Sequence, residues 1–238
     1  SIHKPLRYSR TNLVTLMNLL ELMPELGVKG FVFSSSCTVY GEPDENPVTE
    51  RSQRKEATSP YGNTKRISED IIRDTVHSGA PIGAIILRYF NPVGAHPSAL
   101  IGELPNGVPQ NLIPYLTQTA IGIRKELSVF GNDYPTRDGS CIRDFINGVD
   151  LAKAHVIAVQ RLVEGKTAEP VEIFNLGTGD GVSVLELINT FEEATGVKVP
   201  YRITGRREGD IIQVWADPTR ANTVLGWKAD TPLTDTMR

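Results

Sequence analysis

Cysteine is scarce. Cys37 and Cys141 are the only two in 238 residues, too few for a disulfide framework, so a reducing, cytoplasmic setting is expected. These two thiols and the four histidines are scattered without zinc-ligand spacing, and no metal is expected. No apolar run approaches the ~20 residues that span a bilayer; Ile82–Leu87 (IGAIIL) is among the longest. The opening SIHKPLRYSR has no apolar core of the kind a signal peptide carries. A basic excess is also missing: 25 Lys and Arg against 28 Asp and Glu leave a net charge of −3. Neither a nucleic-acid nor a membrane partner is expected on that balance. There is no internal repeat, no low-complexity segment and no clean linker.

What is present suits a globular chain. Hydrophobic residues make up 39% and charged residues 22%, in the ordinary range, and the length allows one large or two small domains. Leu6–Leu26 predicts a helix with Leu13, Leu16, Met17 and Leu20 on its apolar side, stopped by Gly27. Gly30–Phe33 predicts a buried strand, followed by a serine-rich turn and a polar loop to Thr58. Ser59 and Pro60 open a second helix, to about His77. Ile82–Phe90 predicts another buried strand, stopped by Asn91-Pro92. Helix and strand alternating in this way imply parallel strands with crossovers. Further helices are expected at about 111–123, 149–163 and 183–195, and strands at 127–130, 171–176 and 199–203. Ser183 and Glu186 have capping-box spacing, with Gly196 as the matching stop. Asp217-Pro218 opens a last short helix.

The chemistry gathers on the second helix. Tyr61 and Lys65, four apart, share a face near its positive end. An ammonium one turn away and the helix dipole both favour the phenolate, which makes Tyr61 a candidate general base. With seven tyrosines, such a pair arises by chance about one time in four, so the pair alone decides little. Its neighbourhood adds weight. Ser34, Ser35 and Ser36 follow a strand, and ligands of parallel sheets sit at the carboxyl ends of strands. Arg88–Pro92 (RYFNP) and Asn175-Leu176-Gly177 end two other strands. Gly177–Gly181 (GTGDG) has the spacing GxGxG, not GxGxxG, and is read as a turn bordering the site rather than a dinucleotide fingerprint.

These residues carry a resemblance. SSSCTVYG at Ser34–Gly41, SPYGNTK at Ser59–Lys65 and LRYFNPVGAHPS at Leu87–Ser98 resemble the extended short-chain dehydrogenase/reductase superfamily, and within it the UDP-glucose 4-epimerase family. VFGNDYPTRDGSCIRDF (Val129–Phe145), NLGTGDG (Asn175–Gly181) and RREGD (Arg206–Asp210) fit the same family in order and separation. The resemblance covers nearly the whole chain. It implies an α/β fold, a Rossmann-like parallel sheet incomplete at its N-terminal side with a smaller α/β substrate domain. The division expected is 1–91 with about 143–180 for the dinucleotide side, and about 92–142 with 181–238 for the UDP-sugar side. The family opens with a strand and a GxxGxxG turn that are not in this sequence. At ~30 residues per βαβ unit that segment corresponds to roughly 90 residues before Ser1. The closing LGWKADTPLTDTMR is similar to the family's last helix cut short.

The family's roles carry over residue by residue. NAD is the implied cofactor and a UDP-hexose the implied substrate, interconverted between galactose and glucose forms through a 4-keto sugar. Tyr61 is the implied base, Lys65 lowers its pKa and bonds the nicotinamide ribose, and Ser36 bridges the sugar hydroxyl and Tyr61. Asn12, Tyr89, Phe90 and Pro92 complete the cofactor side. Thr38, Asn91, Asn111, Leu112, Val129, Phe130, Arg143, Arg207, Asp210 and Val214 are the implied substrate contacts, with Arg143 and Arg207 on the phosphates and Asp210 on the uridine ribose. Cys37 replaces the usual alanine, and Asp144–Asn147 (DFIN) departs from the family's DYIH. Val214 is small where a bulky residue excludes N-acetylated sugars, so UDP-GlcNAc and UDP-GalNAc are expected to fit. A homodimer is implied, with 6–26 and 60–77 as its candidate interface. Two rival readings remain: another NAD-dependent sugar-nucleotide enzyme, and a non-catalytic nucleotide-sugar-binding fragment. Dehydration is disfavoured because Ser36–Val39 lacks the acidic pair those enzymes carry.

Overall fold

The computed structural model describes residues 1–238. Helix α1 (Pro5–Ser9) passes through a π-helical turn (Arg10–Val14) into α2 (Thr15–Glu25), and Gly27, at φ 69°, ends it in the left-handed region. Leu16, Leu20 and Met23 form the buried stripe. Met17, expected on it, lies ~100° further round and is exposed. Strand β1 (Gly30–Ser36) leads into a 3-10 turn (Cys37–Tyr40). Helix α3 (Pro60–His77) follows, with the Ser59 side chain accepting from Gly62 N–H as its cap. Strands β2 (Gly83–Tyr89) and β3 (Asn91–Val93) precede α4 (Leu112–Ala120) and β4 (Leu127–Phe130). Two short strands, β5 (Ile142–Arg143) and β6 (Phe145–Asn147), lead into α5 (Gly148–Val163) and β7 (Val171–Leu176). The chain closes with β8 (Val182–Ser183), α6 (Val184–Thr195), β9 (Tyr201–Thr204), β10 (Gln213–Val214), a π-helical turn (Ala221–Leu225) and α7 (Leu233–Thr236). The capping box at Ser183 and Glu186 forms, and Gly196 ends α6 at φ 71°.

The fold is α/β with parallel sheets. The main sheet has the order β1-β2-β7, all parallel, with Gly30 opposite Gly83 and Ser36 opposite Tyr89. Because successive side chains alternate, β2 feeds two cores. Ala84 and Ile86 join Leu16, Leu20, Met23, Ile72 and Val76 from α2 and α3. Ile85 and Leu87 join Ala154 and Ala158 of α5, Phe174 and Trp227. Gly30 and Gly83 let Leu162 of α5 close onto the sheet, where a Cβ would meet it at 3.3 and 3.4 Å. The second half is knit by β3–β6, β4–β9 and β10-β5-β8. Its core holds Leu116, Leu127, Val129, Phe145, Leu187 and Phe191.

Three expectations need correcting. Ser34–Ser36 are the end of β1, not a turn after it, because pairing with β2 continues to Tyr89. Asn91-Pro92 ends β2 but does not end extended structure: it opens β3, which pairs with β6. Asp217-Pro218 leads to a π-helical turn at Ala221–Leu225 rather than an ordinary helix, and α7 lies beyond it.

Ile86, fully buried between the sheet and α2/α3, tests this core. Ile86→Ala should cost about 3 kcal/mol and lower Tm by ~10 °C in denaturant and thermal unfolding. Val159→Ala on the exposed side of α5 should stay within about 0.5 kcal/mol.

Candidate active site

The carboxyl ends of β1 and β2 meet the first turns of α3. Ser36 is 7% exposed, and its Oγ accepts from Thr38 N–H at 3.3 Å. Gly62 brings α3 close to that turn: a Cβ there would lie 3.1 Å from Thr38 Cβ. Lys65 Nζ donates to Ser34 O at 2.8 Å and stands 5.0 Å from the Phe33 ring centroid and 5.7 Å from that of Tyr61. Asn12 Nδ2 donates to Thr64 Oγ1 at 2.8 Å, tying the first helix to α3 between Tyr61 and Lys65. Tyr8 packs edge-on to Tyr61 at 6.5 Å. Tyr89 is partly buried, 6.0 Å from the His155 ring; Phe90 is buried and Pro92 exposed. Thr38 Oγ1 is buried with no hydrogen-bond partner.

The electrostatics correct one expectation. Burial pushes the Tyr61 phenol up to about 12, with Tyr89 and Cys37 adding to it and the Ser36 hydroxyl pulling back. Lys65 does not offset this. Its own pKa is lowered by desolvation, because partial burial disfavours its charged form. In the ligand-free chain Tyr61 is therefore a neutral phenol at neutral pH.

A cavity of about 380 Å³ opens at Asn91, just beyond the carboxyl end of β2. It brings together Asn91, Asn111, Leu112, Phe130, Arg143, Arg207 and Asp210. Arg143 Nη1 donates to Ile142 O at 2.8 Å and Ile212 O at 3.5 Å, and no carboxylate pairs with it among the ion pairs of the structure. Arg207 donates to Asp210 Oδ1 through Nε at 3.0 Å and Nη2 at 2.6 Å, over the Phe130 ring. Asn111 Nδ2 donates to Glu103 Oε1 at 2.7 Å. Three of the implied substrate contacts do not line this cavity. Thr38 sits on the 3-10 turn against Gly62. Val129 alternates inward on β4 and packs in the core. Val214 is buried with Cys37, Phe90 and Ala216, which places it behind the Ser36–Thr38 turn.

Sequence reasoning missed Tyr8, Gln110, Tyr115, Ser128 and Cys141. Tyr115 was findable, three residues after Leu112 on the same helix; Tyr8 and Ser128 lie on an expected helix and an expected strand whose chemistry was not read, and Gln110 and Cys141 lie outside helices and strands. It also missed Asp144. This buried carboxylate accepts from Thr178 N–H and Oγ–H, Gly179 N–H and Ala216 N–H, at 2.7–3.2 Å, and burial still pushes its pKa up. Gly177 is required beside it: a Cβ would lie 2.3 Å from Asp144 Oδ2 and 2.6 Å from Ala216 Cβ.

Comparison with known proteins gives the family. The family model described as GDP-mannose 4,6 dehydratase matches residues 1–238. The chain is 49% identical to the UDP-glucose 4-epimerase of Homo sapiens over 229 residues, which is 96% of this chain and 65% of that protein. With the Bacillus subtilis UDP-glucose 4-epimerase the identity is 50%, over 96% of this chain and 66% of the relative. The chain thus spans just under two thirds of the length of these relatives. The crystal structure of the Bifidobacterium longum UDP-glucose 4-epimerase in complex with NAD+ and UDP superposes with a TM-score of 0.94 at 46% identity, covering all of this chain and 70% of that one. That of the Stenotrophomonas maltophila enzyme, with bound NAD and formylated UDP-arabinopyranose, gives 0.93 at 50% identity, over 98% of this chain and 68% of that one.

Cys37, behind Ser36, gives a pH test. Burial pushes its thiol from 9.0 up to about 11, partly opposed by Arg143. The folded state holds that proton more tightly than the unfolded one. Its contribution is complete below pH 9 and lost as pH rises towards 11, about 2 to 3 kcal/mol in all. Cys37→Ala should flatten the fall in Tm between pH 9 and 11; an unchanged slope would remove the thiol from the account.

Proposed function

Since the chain belongs to the UDP-glucose 4-epimerase family, we propose that its protein is an NAD-dependent isomerase. The reaction is the interconversion of UDP-galactose and UDP-glucose through a 4-keto sugar. What carries this reading is the continuity of two sites. The cavity with the carboxylate-free Arg143 reaches Asn91, two residues along the chain from Tyr89, whose field acts on Tyr61.

The residues present fit NAD. Lys65 has one hydrogen-bond acceptor, Ser34 O, and three N–H bonds, so two remain for ribose hydroxyls. Asn12, Tyr89, Phe90 and Pro92 complete the proposed cofactor side. Bound NAD would supply the hydride acceptor, and its positive ring would draw the Tyr61 phenol down into a usable range. Tyr61 Oη then takes the proton of the sugar 4-hydroxyl, with Ser36 Oγ bridging the two. Thr38 Oγ1, buried and unpaired, is free to bond the sugar. Arg143 and Arg207 meet the diphosphate, Asp210 takes the uridine ribose, and Asn91, Asn111, Leu112 and Phe130 line the rest. Val129 contributes through its backbone position on β4 and Val214 from behind the sugar. Nucleotide binding on this account breaks the Arg207–Asp210 pair.

We place the dinucleotide side at 1–91 with about 143–180 and the UDP-sugar side in the remainder. A cytoplasmic homodimer is part of the proposal. Exposed Leu19, Leu22 and Leu26 on and just after α2 offer the apolar face for it, and no helix is long and apolar enough to cross a membrane.

The deciding measurement incubates the chain with UDP-galactose, with and without added NAD, and scores UDP-glucose. Conversion supports the proposal. Folded protein that binds UDP without conversion supports the nucleotide-sugar-binding reading instead. Tyr61→Phe should lower kcat by about 10²–10⁴-fold and leave the Kd for UDP within about twofold. The small Val214 favours N-acetylated sugars as additional substrates. Val214→Tyr should abolish conversion of UDP-GalNAc and, because Val214 is buried in a packed cluster, cost about 1–3 kcal/mol of stability as well; retained N-acetyl activity would count against this.

A further inference from the structure

Beneath the candidate site lies a polar cluster that the proposed reaction does not use. Glu69 of α3 is fully buried and Arg88 of β2 is 1% exposed. Glu69 Oε1 accepts from Ser35 Oγ at 2.6 Å and from Arg88 Nε at 2.8 Å. Its Oε2 accepts from Arg88 Nη2 at 2.6 Å and Arg54 Nη1 at 3.4 Å. Arg88 Nη1 continues to Tyr40 Oη at 3.0 Å, which donates to Asn175 Oδ1 at 2.6 Å. One carboxylate thus ties α3 to β1 and β2, and through Arg88 to the 3-10 turn and β7.

Each of these groups adjoins a group of the candidate site. Ser35 precedes Ser36, Arg88 precedes Tyr89, and Tyr40 closes the turn that carries Thr38. Glu69 stands one turn from Lys65 and two turns from Tyr61 on the same helix. We propose that Glu69 is a positioning residue: its carboxylate, shared between Ser35 and Arg88, sets the spacing between α3 and the strand ends and so holds Tyr61 against Ser36. The inference rests on the reading of Tyr61 as the proton-handling group. Its physical basis is the short reach of the parts. Ser35 has a single side-chain torsion before its hydroxyl, and the guanidinium fork accepts a carboxylate in one plane. Neither can follow a displaced helix, so the bonds fix its distance. Displacement by ~1 Å at a reacting pair is enough to cost up to ~10²-fold in rate.

The test uses the chain labelled with [13Cζ]tyrosine, the Tyr61 signal being identified by its loss in Tyr61→Phe. Glu69→Asp keeps the charge but withdraws the carboxylate by one methylene. Ser35→Ala leaves the ion pair and cuts only the bond to β1. Asp150→Asn is a control for destabilisation alone. Asp150 binds the N–H groups of Asp230 and Thr231 on the opposite side of the sheet, away from Tyr61. The expected result is a displaced Tyr61 signal in Glu69→Asp and Ser35→Ala but not in Asp150→Asn. With turnover of UDP-galactose, Ser35→Ala should lower kcat about tenfold with KM within about twofold. An unmoved Tyr61 signal in folded Ser35→Ala overturns the proposal, as does an equal displacement in Asp150→Asn. The signal needs neither cofactor nor sugar. Absence of turnover by the unsubstituted chain therefore counts against the epimerase reading and leaves the positioning test intact.

Discussion

A carboxylate with no access to water has to be neutralised where it stands, and Glu69 is such a carboxylate. Leaving it unpaired would cost ~3–5 kcal/mol, a large part of the stability of an ordinary domain. Its partner Arg88 is equally hidden. Burial works against the guanidinium's charge, but the bond to Glu69 and the Tyr40 hydroxyl hold its pKa above the ordinary value. The pair is satisfied only if α3, β1, β2 and the 3-10 turn stand at fixed separations. The apolar layers on the two sides of β2 supply most of the favourable free energy, but they tolerate sliding. The ion pair does not, and it sits directly below the residues whose relative placement matters most.

Asp144 applies the same constraint in the second half. Four donors from the Gly177–Gly179 turn and Ala216 converge on it, so that turn and the exit from β10 are fixed relative to β5. Arg143, the preceding residue, is thereby presented to the cavity from a rigid backbone. Gly177 is there because the carboxylate leaves no room for a Cβ. Gly177 and Gly179 of GTGDG thus serve a buried acid, while Gly181 makes room for Ile142 and Trp215.

This explains which features were legible in the sequence. α2, α3, α5, α6, β1, β2 and β7 carry apolar periodicity or capping signals over many residues, and their existence and order could be read directly. The strands β3, β5, β6, β8 and β10 have two or three residues each, too few to show a period, and they form only because distant segments pair. Ser34–Ser36 misled because serine favours turns, whereas the ladder to β2 and the bond to Glu69 hold these three extended. Tyr61 and Lys65 were found by spacing, but their electrostatics were not. Spacing reports that the two share a face; it does not report how much water each has lost.

That loss of water shapes the candidate site. The desolvation that raises Tyr61 to about 12 would also strengthen any charge brought beside it, since Coulomb energies grow as the local dielectric falls. On the proposed reading, such a phenol becomes a usable base once a cation binds beside it. The cavity follows the same logic from the other direction. Its Arg207 already has a carboxylate, Asp210, while Arg143 has only carbonyls. A diphosphate would find one guanidinium ready and would have to draw the second from an internal pair. The internal pair lowers the net positive field that the empty cavity presents to stray anions. The Arg207 guanidinium is half exposed, so separating the pair costs little, and a ligand with a phosphate for Arg207 and hydroxyls for Asp210 would offset it. On the proposed reading, the ligand-free geometry holds one guanidinium ready for a diphosphate and a second in a pair that a nucleotide would exchange.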